Sequence, residues 1–164
     1  MLVDQLDFHW SHQLRARLDG LTDDEYLWEP VPDAWTIRDG VIDWAWPAPD
    51  PAPVTTIAWR LAHIVIGCFG IRSASHFGAP AVSYDDFPYA RTADGALAQL
   101  DQAYAVWLRG VRGLGVEGMA RPCGEAEPVF GDLPVAVLVA HINREVIHHG
   151  AELALLRDLY LRRT

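Results

Sequence analysis

The sequence contains no lysine and has a shortage of basic residues, which narrows the range of partners. All 13 basic residues are arginine and stand against 22 acidic ones, so the formal net charge is −9 at pH 7. A chain of this charge repels the phosphate backbone of nucleic acids unless it carries a local basic patch. The sequence has no such patch, and we expect no nucleic-acid partner.

Cysteine is also scarce, which argues against a fold held together by disulfides. The two cysteines, Cys68 and Cys123, follow no zinc-finger spacing. Cys68 lies in the apolar run LAHIVIGCFGI, where a small buried side chain is expected, and Cys123 lies in a loop rich in proline and glycine. We therefore expect no disulfide between them.

Long apolar runs and targeting signals are absent as well. The first residues, MLVDQLDFHW, have neither a basic nor an apolar signal region. No run reaches the roughly 20 apolar residues that a membrane span needs. These features predict a cytoplasmic protein without a membrane partner. The length of 164 residues, 51% of them hydrophobic, predicts a single globular domain over residues 1–164.

Helical periodicity dominates the chain and predicts an all-α fold, a four-helix bundle. The four predicted helices are residues 3–18, 55–77, 92–114 and 134–162. Thr22 is predicted to cap a short helical turn after the first of them. Residues 29–53 carry six prolines and three tryptophans, which predicts an ordered loop that covers the bundle as a lid. Residues 115–132 are predicted to form a second loop.

The fourth predicted helix contains the stretch HINREVIHHG, residues 141–150, between apolar neighbours. At about 100° per residue, His149 falls inside the apolar arc of this helix, and Glu145, one turn earlier, falls at its edge. A buried carboxylate needs a neutralising partner, and a divalent metal would use both side chains. His63, on the apolar second helix, is the predicted third ligand. Two histidines and one carboxylate leave a coordination position open, as in catalytic sites.

Other interpretations of these residues remain open. His63 alone would be an ordinary hydrogen-bonded core histidine, and residues 144–149 would be a solvated helix face. Glu145 would also be neutralised by Arg60 or Arg72, without any metal.

The remaining histidines of the first two helices have no comparable grouping. His9 and His12 lie on the first predicted helix, and His76 lies near the end of the second. Because polar helix faces are usually solvated, we expect His9 and His12 to face solvent.

Three segments carry a resemblance to a known family. TIAWRLAHIVIGCFGIRSASHFG and HINREVIHHGAELALLRDLY resemble the second and fourth helices of the DinB/YfiT-like superfamily of four-helix-bundle metalloproteins, and HWSHQLRARLDGLTDDEYLWEPVPDAWTIR is similar to its opening. The resemblance implies an up-down-down-up bundle with one long crossover. It also implies a metal held by one histidine of the second helix and by a pair four residues apart on the last. His63 matches the first position, and Glu145 with His149 match the pair.

The glutamate in this pair points to one branch of the family. Many members have histidine at the position of Glu145, whereas the segment REVIHHGAEL is similar to the metal-binding segment of the mycothiol-dependent maleylpyruvate isomerases. The doubled histidine leaves the register open, because His148 is an alternative ligand to His149. His141 is either an alternative ligand or a hydrogen-bonding partner of one.

The resemblance also implies a chemistry. The metal would be zinc, with nickel, manganese or iron as alternatives, and the protein would be a homodimer. The metal would bind a low-molecular-weight thiol such as mycothiol or bacillithiol and present it as thiolate to an electrophilic small-molecule substrate, in an S-transferase or isomerase reaction. Arg60 and Arg144 are the candidates to bind acidic groups of the thiol or the substrate. A metal-dependent hydrolase and a non-catalytic metal- or small-ligand-binding stress-response protein are the alternatives.

Overall fold

A computed structural model describes residues 1–163, and these residues are mostly helical. Their regular structure consists of α1 (residues 2–17), α2 (Asp23–Tyr26), β1 (Ile37–Arg38), β2 (Val41–Ile42), α3 (Ile57–Phe77), α4 (Ala93–Gly113), α5 (Gly115–Ala120) and α6 (Val135–Leu161). The prediction of an all-α fold is confirmed, since the only sheet in residues 1–163 is a short hairpin. The single domain over residues 1–164 stays a prediction.

Threonine side chains fix the starts of three helices. Thr22, Thr56 and Thr92 are N-caps, and the side-chain oxygen of each accepts a hydrogen bond from the backbone N–H three residues later. The helix starts predicted from the sequence at Thr22 and at Thr55 or Thr56 are therefore confirmed. α6 begins directly after Pro134, whose missing N–H costs nothing at that place.

Two of the long helices contain a π-helical stretch. In α3 the stretch is Ile64–Gly70, and it follows directly on the α-helical segment Ile57–His63. In α1 the stretch is Trp10–Leu14. Such wide turns are rare in proteins as a whole, and those that occur are often found at functional sites. No pattern in the sequence predicted either of them.

The long helices enclose the apolar core. α1 contacts α4 and α6, and α3 contacts the same two helices. The largest fully buried side chains are Trp107, Tyr26, Phe69, Leu6, Leu14, Leu18, Ile57, Leu61, Ile64, Ile66, Leu100 and Ile142. Cys68 and Cys123 form no disulfide with each other, and the predicted burial of Cys68 is confirmed. Cys123, which was predicted to lie in a loop, is buried as well.

α3 is the most apolar of the long helices. By length and composition alone it would reach across a membrane, which the sequence prediction excluded. Within the protein, however, 61% of its most apolar window is buried. Buried core helices meet the same criterion, so α3 is weak support for a membrane location. The cytoplasmic location stays a prediction.

Two predicted loops contain regular structure. Residues 115–120 form α5, whose glycines weaken the helical signal in the sequence. Within residues 29–53, β1 and β2 form an antiparallel hairpin around Asp39 and Gly40, which both have positive φ angles of 52° and 83°. An Asp-Gly pair between short apolar segments is a strong hairpin signal, and the prediction of an ordered loop did not include the hairpin.

Candidate metal centre

Two histidines from different helices meet inside the protein. His63 ends the first α-helical segment of α3, and His149 lies in the middle of α6. Their ring centroids are 4.7 Å apart, and the ring planes are perpendicular, at 89°. His149 is only 7% exposed, and His63 is half-buried. The fold therefore brings the histidine predicted as third ligand next to His149 of the predicted pair on α6.

Both rings are held through the same type of nitrogen atom. His63 Nδ1 lies 2.8 Å from Tyr84 Oη, and His149 Nδ1 lies 2.7 Å from Glu152 Oε2. Within residues 1–163, no hydrogen bond engages the Nε2 atom of either ring. An imidazole whose Nδ1 is engaged in this way has its Nε2 left as the atom for a metal.

Glu145 lies on the Nε2 side of His149. Its Oε2 atom is 3.7 Å from His149 Nε2, a separation that one metal ion with bonds of about 2.1 Å would span. Its other oxygen, Oε1, is 3.5 Å from His141 Nδ1 and 3.6 Å from Arg144 Nε. His141 is thus a neighbour of Glu145, which agrees with the interpretation of His141 as a partner of a ligand.

The arginines of α3 pair with other carboxylates. Arg60 Nε lies 3.1 Å from Glu152 Oε2, and Arg72 Nε lies 3.3 Å from Glu127 Oε1. Neither Nε–H is aligned to donate a hydrogen bond, so both pairs are charge contacts. The metal-free alternative, in which Glu145 pairs with Arg60 or Arg72, is wrong in that form, because each arginine faces a different carboxylate.

Burial keeps the two histidines neutral. It lowers the pKa of His63 to about 3, and the charge that His149 would carry if protonated and the charges of Arg60 and Arg72 act in the same direction. Burial also lowers the pKa of His149, against the opposing effect of its hydrogen bond to Glu152. Neutral imidazole is the form that coordinates metals, so the electrostatics fit the predicted donor set.

A second cluster lies on the other side of His149. One ligand atom each of His148, His149 and Glu152 lies within 4.8 Å of the others. His148 is exposed, and its Nε2 is 3.5 Å from Glu152 Oε1. From the sequence, His148 was predicted only as an alternative to His149, and Glu152 was not predicted. Its position three residues after His149 was a usable signal, since that spacing places both side chains on one helix face.

The two predicted anion-binding arginines have different surroundings. Arg60 is half-buried, with Nη1 3.4 Å from His149 Nδ1 and its guanidinium 5.2 Å from the centre of the Trp59 ring. Together with Glu152 it lines a cleft of about 700 Å³ whose walls are mostly apolar. Arg144 is exposed, lies 2.6 Å from His141 Nδ1 through Nη2, and does not line this cleft.

The tryptophan-rich loop reaches the rings around His63. Trp59 stacks on His63 with ring centroids 5.2 Å apart, and it donates from Nε1 to the carbonyl oxygen of Asp43 at 2.8 Å. Trp44 stacks on Tyr84 at 5.1 Å. Residues 43–44 of the predicted lid therefore contact both of the rings that flank His63.

The other histidines lie apart from this centre. The prediction that His9 faces solvent is wrong: it is 7% exposed, and its Nδ1 lies 2.9 Å from Gln13 Oε1. The physical reason is Gly150 on α6, where an added Cβ would lie 2.8 Å from His9 Nε2, so that the glycine leaves room for the ring. His12 is exposed, as predicted, and His76 Nε2 lies 3.4 Å from a carboxylate oxygen of Glu127.

Comparison with known proteins identifies the family. No curated protein and no solved structure matches the chain. The profile of the DinB superfamily matches residues 5–153, which include His63, Glu145 and His149. Because this match covers most of the 164 residues, the chain belongs to the DinB superfamily.

Proposed function

We propose that the protein is a divalent-metal-dependent enzyme in which His63, Glu145 and His149 hold the metal. The observation that carries the proposal is the pair of neutral imidazoles at 4.7 Å, each engaged through Nδ1, with the Glu145 carboxylate 3.7 Å from His149 Nε2. This donor set suits zinc, and nickel, manganese or iron are the alternatives. Membership of a family of metal-binding proteins supports the same conclusion.

Metal binding at these residues supplies a positive charge that stabilises a thiolate at neutral pH. We propose that the thiol is a low-molecular-weight one, such as mycothiol or bacillithiol. Its electrophilic partner would be a small molecule, and the reaction an S-transfer or an isomerisation. The glutamate at position 145 supports this choice, because it is the feature that resembles the thiol-dependent isomerase branch.

The protein's own side chains would bind and orient the reactants. Arg60 is the better placed of the two predicted arginines, because it lines the cleft and its Nη1 also lies 3.4 Å from His149 Nδ1. A half-buried guanidinium there would bind a carboxylate of the thiol or the substrate. Glu152 fixes the ring of His149 through Nδ1. Arg144 is exposed, so we assign it the lesser role of attracting acidic groups towards the protein.

We also propose the up-down-down-up order for the four long helices. The contacts support parallel directions for α1 and α6, and opposite directions for α1 with α4 and for α3 with α6. The parallel direction of α1 and α6 is supported by the contacts of Leu2 with Asn143 and of Arg17 with Asp158. The opposite direction of α1 and α4 is supported by Asp7 with Tyr104 and by Arg15 with Asp101. The opposite direction of α3 and α6 is supported by Arg60 with Glu152 and by His63 with His149. The long crossover would then be the connection between α3 and α4.

The metal content of untagged, chelator-free protein tests the proposed centre. Wild type is compared with His63→Ala and Glu145→Ala. His148→Ala serves as the matched control, because His148 is exposed and belongs only to the cluster of His148, His149 and Glu152, called here the outer cluster. We expect near-stoichiometric metal in wild type and His148→Ala. We expect its loss in the other two variants, measured by elemental analysis and by zinc titration.

Other patterns of metal content would contradict the proposal. Retention of metal in His63→Ala with loss in His148→Ala would place the ion in the outer cluster. No metal, and no uptake of added zinc, nickel or manganese, would refute a metalloenzyme. With metal present, thiol conjugation is assayed with mycothiol and an electrophile. Turnover without any thiol would favour the hydrolase, and no turnover would favour a non-catalytic metal-binding protein.

A further inference from the structure

We propose that Tyr84 is a positioning residue, which holds the imidazole of His63 by Nδ1 and leaves Nε2 as its coordinating atom. Tyr84 lies in the connection between α3 and α4, outside every motif in the sequence. Its Oη atom is 2.8 Å from His63 Nδ1. The role of Tyr84 in metal binding rests on the proposed metal centre, but the orientation of the His63 ring is measurable without any metal.

Gly67 makes this contact possible. It lies one turn after His63, in the π-helical stretch of α3. A Cβ atom at Gly67 would lie 2.4 Å from Tyr84 Oη and 3.1 Å from His63 Cε1. Side chains do not approach each other that closely, so any larger residue would displace the phenol or the imidazole. The hydrogen bond therefore depends on the absence of a side chain at position 67.

Tyr84 is itself held from two other directions. Tyr89 donates a hydrogen bond from Oη to the backbone oxygen of Tyr84 at 2.7 Å, which fixes the main chain. Trp44 stacks on the Tyr84 ring with an interplanar angle of 9°. Burial raises the pKa of Tyr84, so the phenol stays neutral. A neutral, immobilised phenol is a suitable anchor for one nitrogen of a neutral imidazole.

One face of the His63 ring is covered by an aromatic ring. Trp59 stacks on it at an interplanar angle of 10°, so the imidazole cannot turn over without leaving that ring. Stacking alone does not distinguish the two nitrogen atoms, because a flipped ring would stack equally well. The hydrogen bond that His63 Nδ1–H would donate to Tyr84 Oη is the contact that makes the two orientations unequal.

The experiment compares Tyr84→Phe with Tyr89→Phe. Both variants lose a phenolic hydroxyl engaged in a hydrogen bond, but only the first loses the contact with His63. The ring nitrogens of His63 are observed by ¹⁵N NMR in metal-free protein and assigned with a His63→Gln variant. We expect the Nδ1–H tautomer in wild type and Tyr89→Phe, and a mixture of both tautomers in Tyr84→Phe; the Nε2–H tautomer in wild type would contradict the inference. Zinc affinity should fall roughly 10- to 100-fold in Tyr84→Phe only.

A second variant tests the same contact by crowding. Gly67→Ala keeps the phenol but forces it away from the ring, so we expect the same mixed ¹⁵N signals, with thermal unfolding recorded to show that the chain is folded. Unchanged His63 signals in both Tyr84→Phe and Gly67→Ala would overturn the inference, whether or not wild type binds zinc. The expected signals in a protein that takes up no metal would uphold the positioning role and refute the proposed function.

Discussion

We expect the metal-free protein to lose stability as the pH falls from about 7.5 to about 5, and we expect His63 to cause a defined part of the loss. The pKa of His63 is about 3 in the folded protein, against 6.5 as its ordinary value. Because the unfolded chain takes up the proton first, stability is fully present above pH 6.5 and declines through the window from 6.5 to about 3. At roughly 1.4 kcal/mol per pH unit, the loss at about pH 5 is about 2 kcal/mol.

The assay is urea unfolding in the presence of a chelator at these two pH values. His63→Gln removes the titrating ring. His148→Gln is the control, since it removes an exposed imidazole from the position next to His149 on α6. Wild type and His148→Gln should each lose about 2 kcal/mol more than His63→Gln. His149 contributes in all three proteins and so cancels in the comparison. An equal loss in wild type and His63→Gln would refute the reasoning.

Two further substitutions test the frame that holds the site. Arg157→Ala should lower the free energy of unfolding by about 3–5 kcal/mol, because it leaves the buried Glu25 carboxylate without the guanidinium that binds both its oxygens, at 2.6 and 3.1 Å. A loss below about 1 kcal/mol in urea unfolding would mean that the pair behaves as a solvated one. Gly150→Ala should cost about 1–3 kcal/mol in thermal unfolding, since its Cβ would meet His9 Nε2 at 2.8 Å. Adding His9→Ala should relieve part of that cost, and no relief would exclude the clash as its cause.

The helices and the central histidine were predictable because their signals are local. Apolar spacing and a threonine cap place the start of α3 at Thr56, and both are contained in a few neighbouring residues. The position of His149 within the apolar arc of α6 predicted its burial, and the side chain is 7% exposed. Glu152 was within reach of the same reasoning, since it lies on the same helix face as His149.

The surroundings of the site were not predictable in this way. Tyr84 and Trp44 lie in connections between helices, and their contacts depend on the path that these connections take through space. The burial of His9 depends on Gly150 of another helix, which lies 141 residues later in the chain. Local periodicity contains no information on such pairs, so the spacing predicted candidate ligands but not the residues that surround them.

The π-helical stretch Ile64–Gly70 sets the orientation of the residues that follow it in α3 relative to His63. A π turn accommodates about one residue more than an α-helical turn, so it acts as a single-residue insertion within a continuous helix. Removing one residue there would restore a regular α-helix and leave the residues beyond it in nearly the same orientation relative to His63. Converting the stretch to an α-helix without removing a residue would instead rotate everything beyond it by about 100°. Arg72, which donates to the Gly67 carbonyl oxygen at 3.0 Å, would then point to another side of the protein. The π-helical stretch, at its present length, therefore decides which residues after His63 face the site.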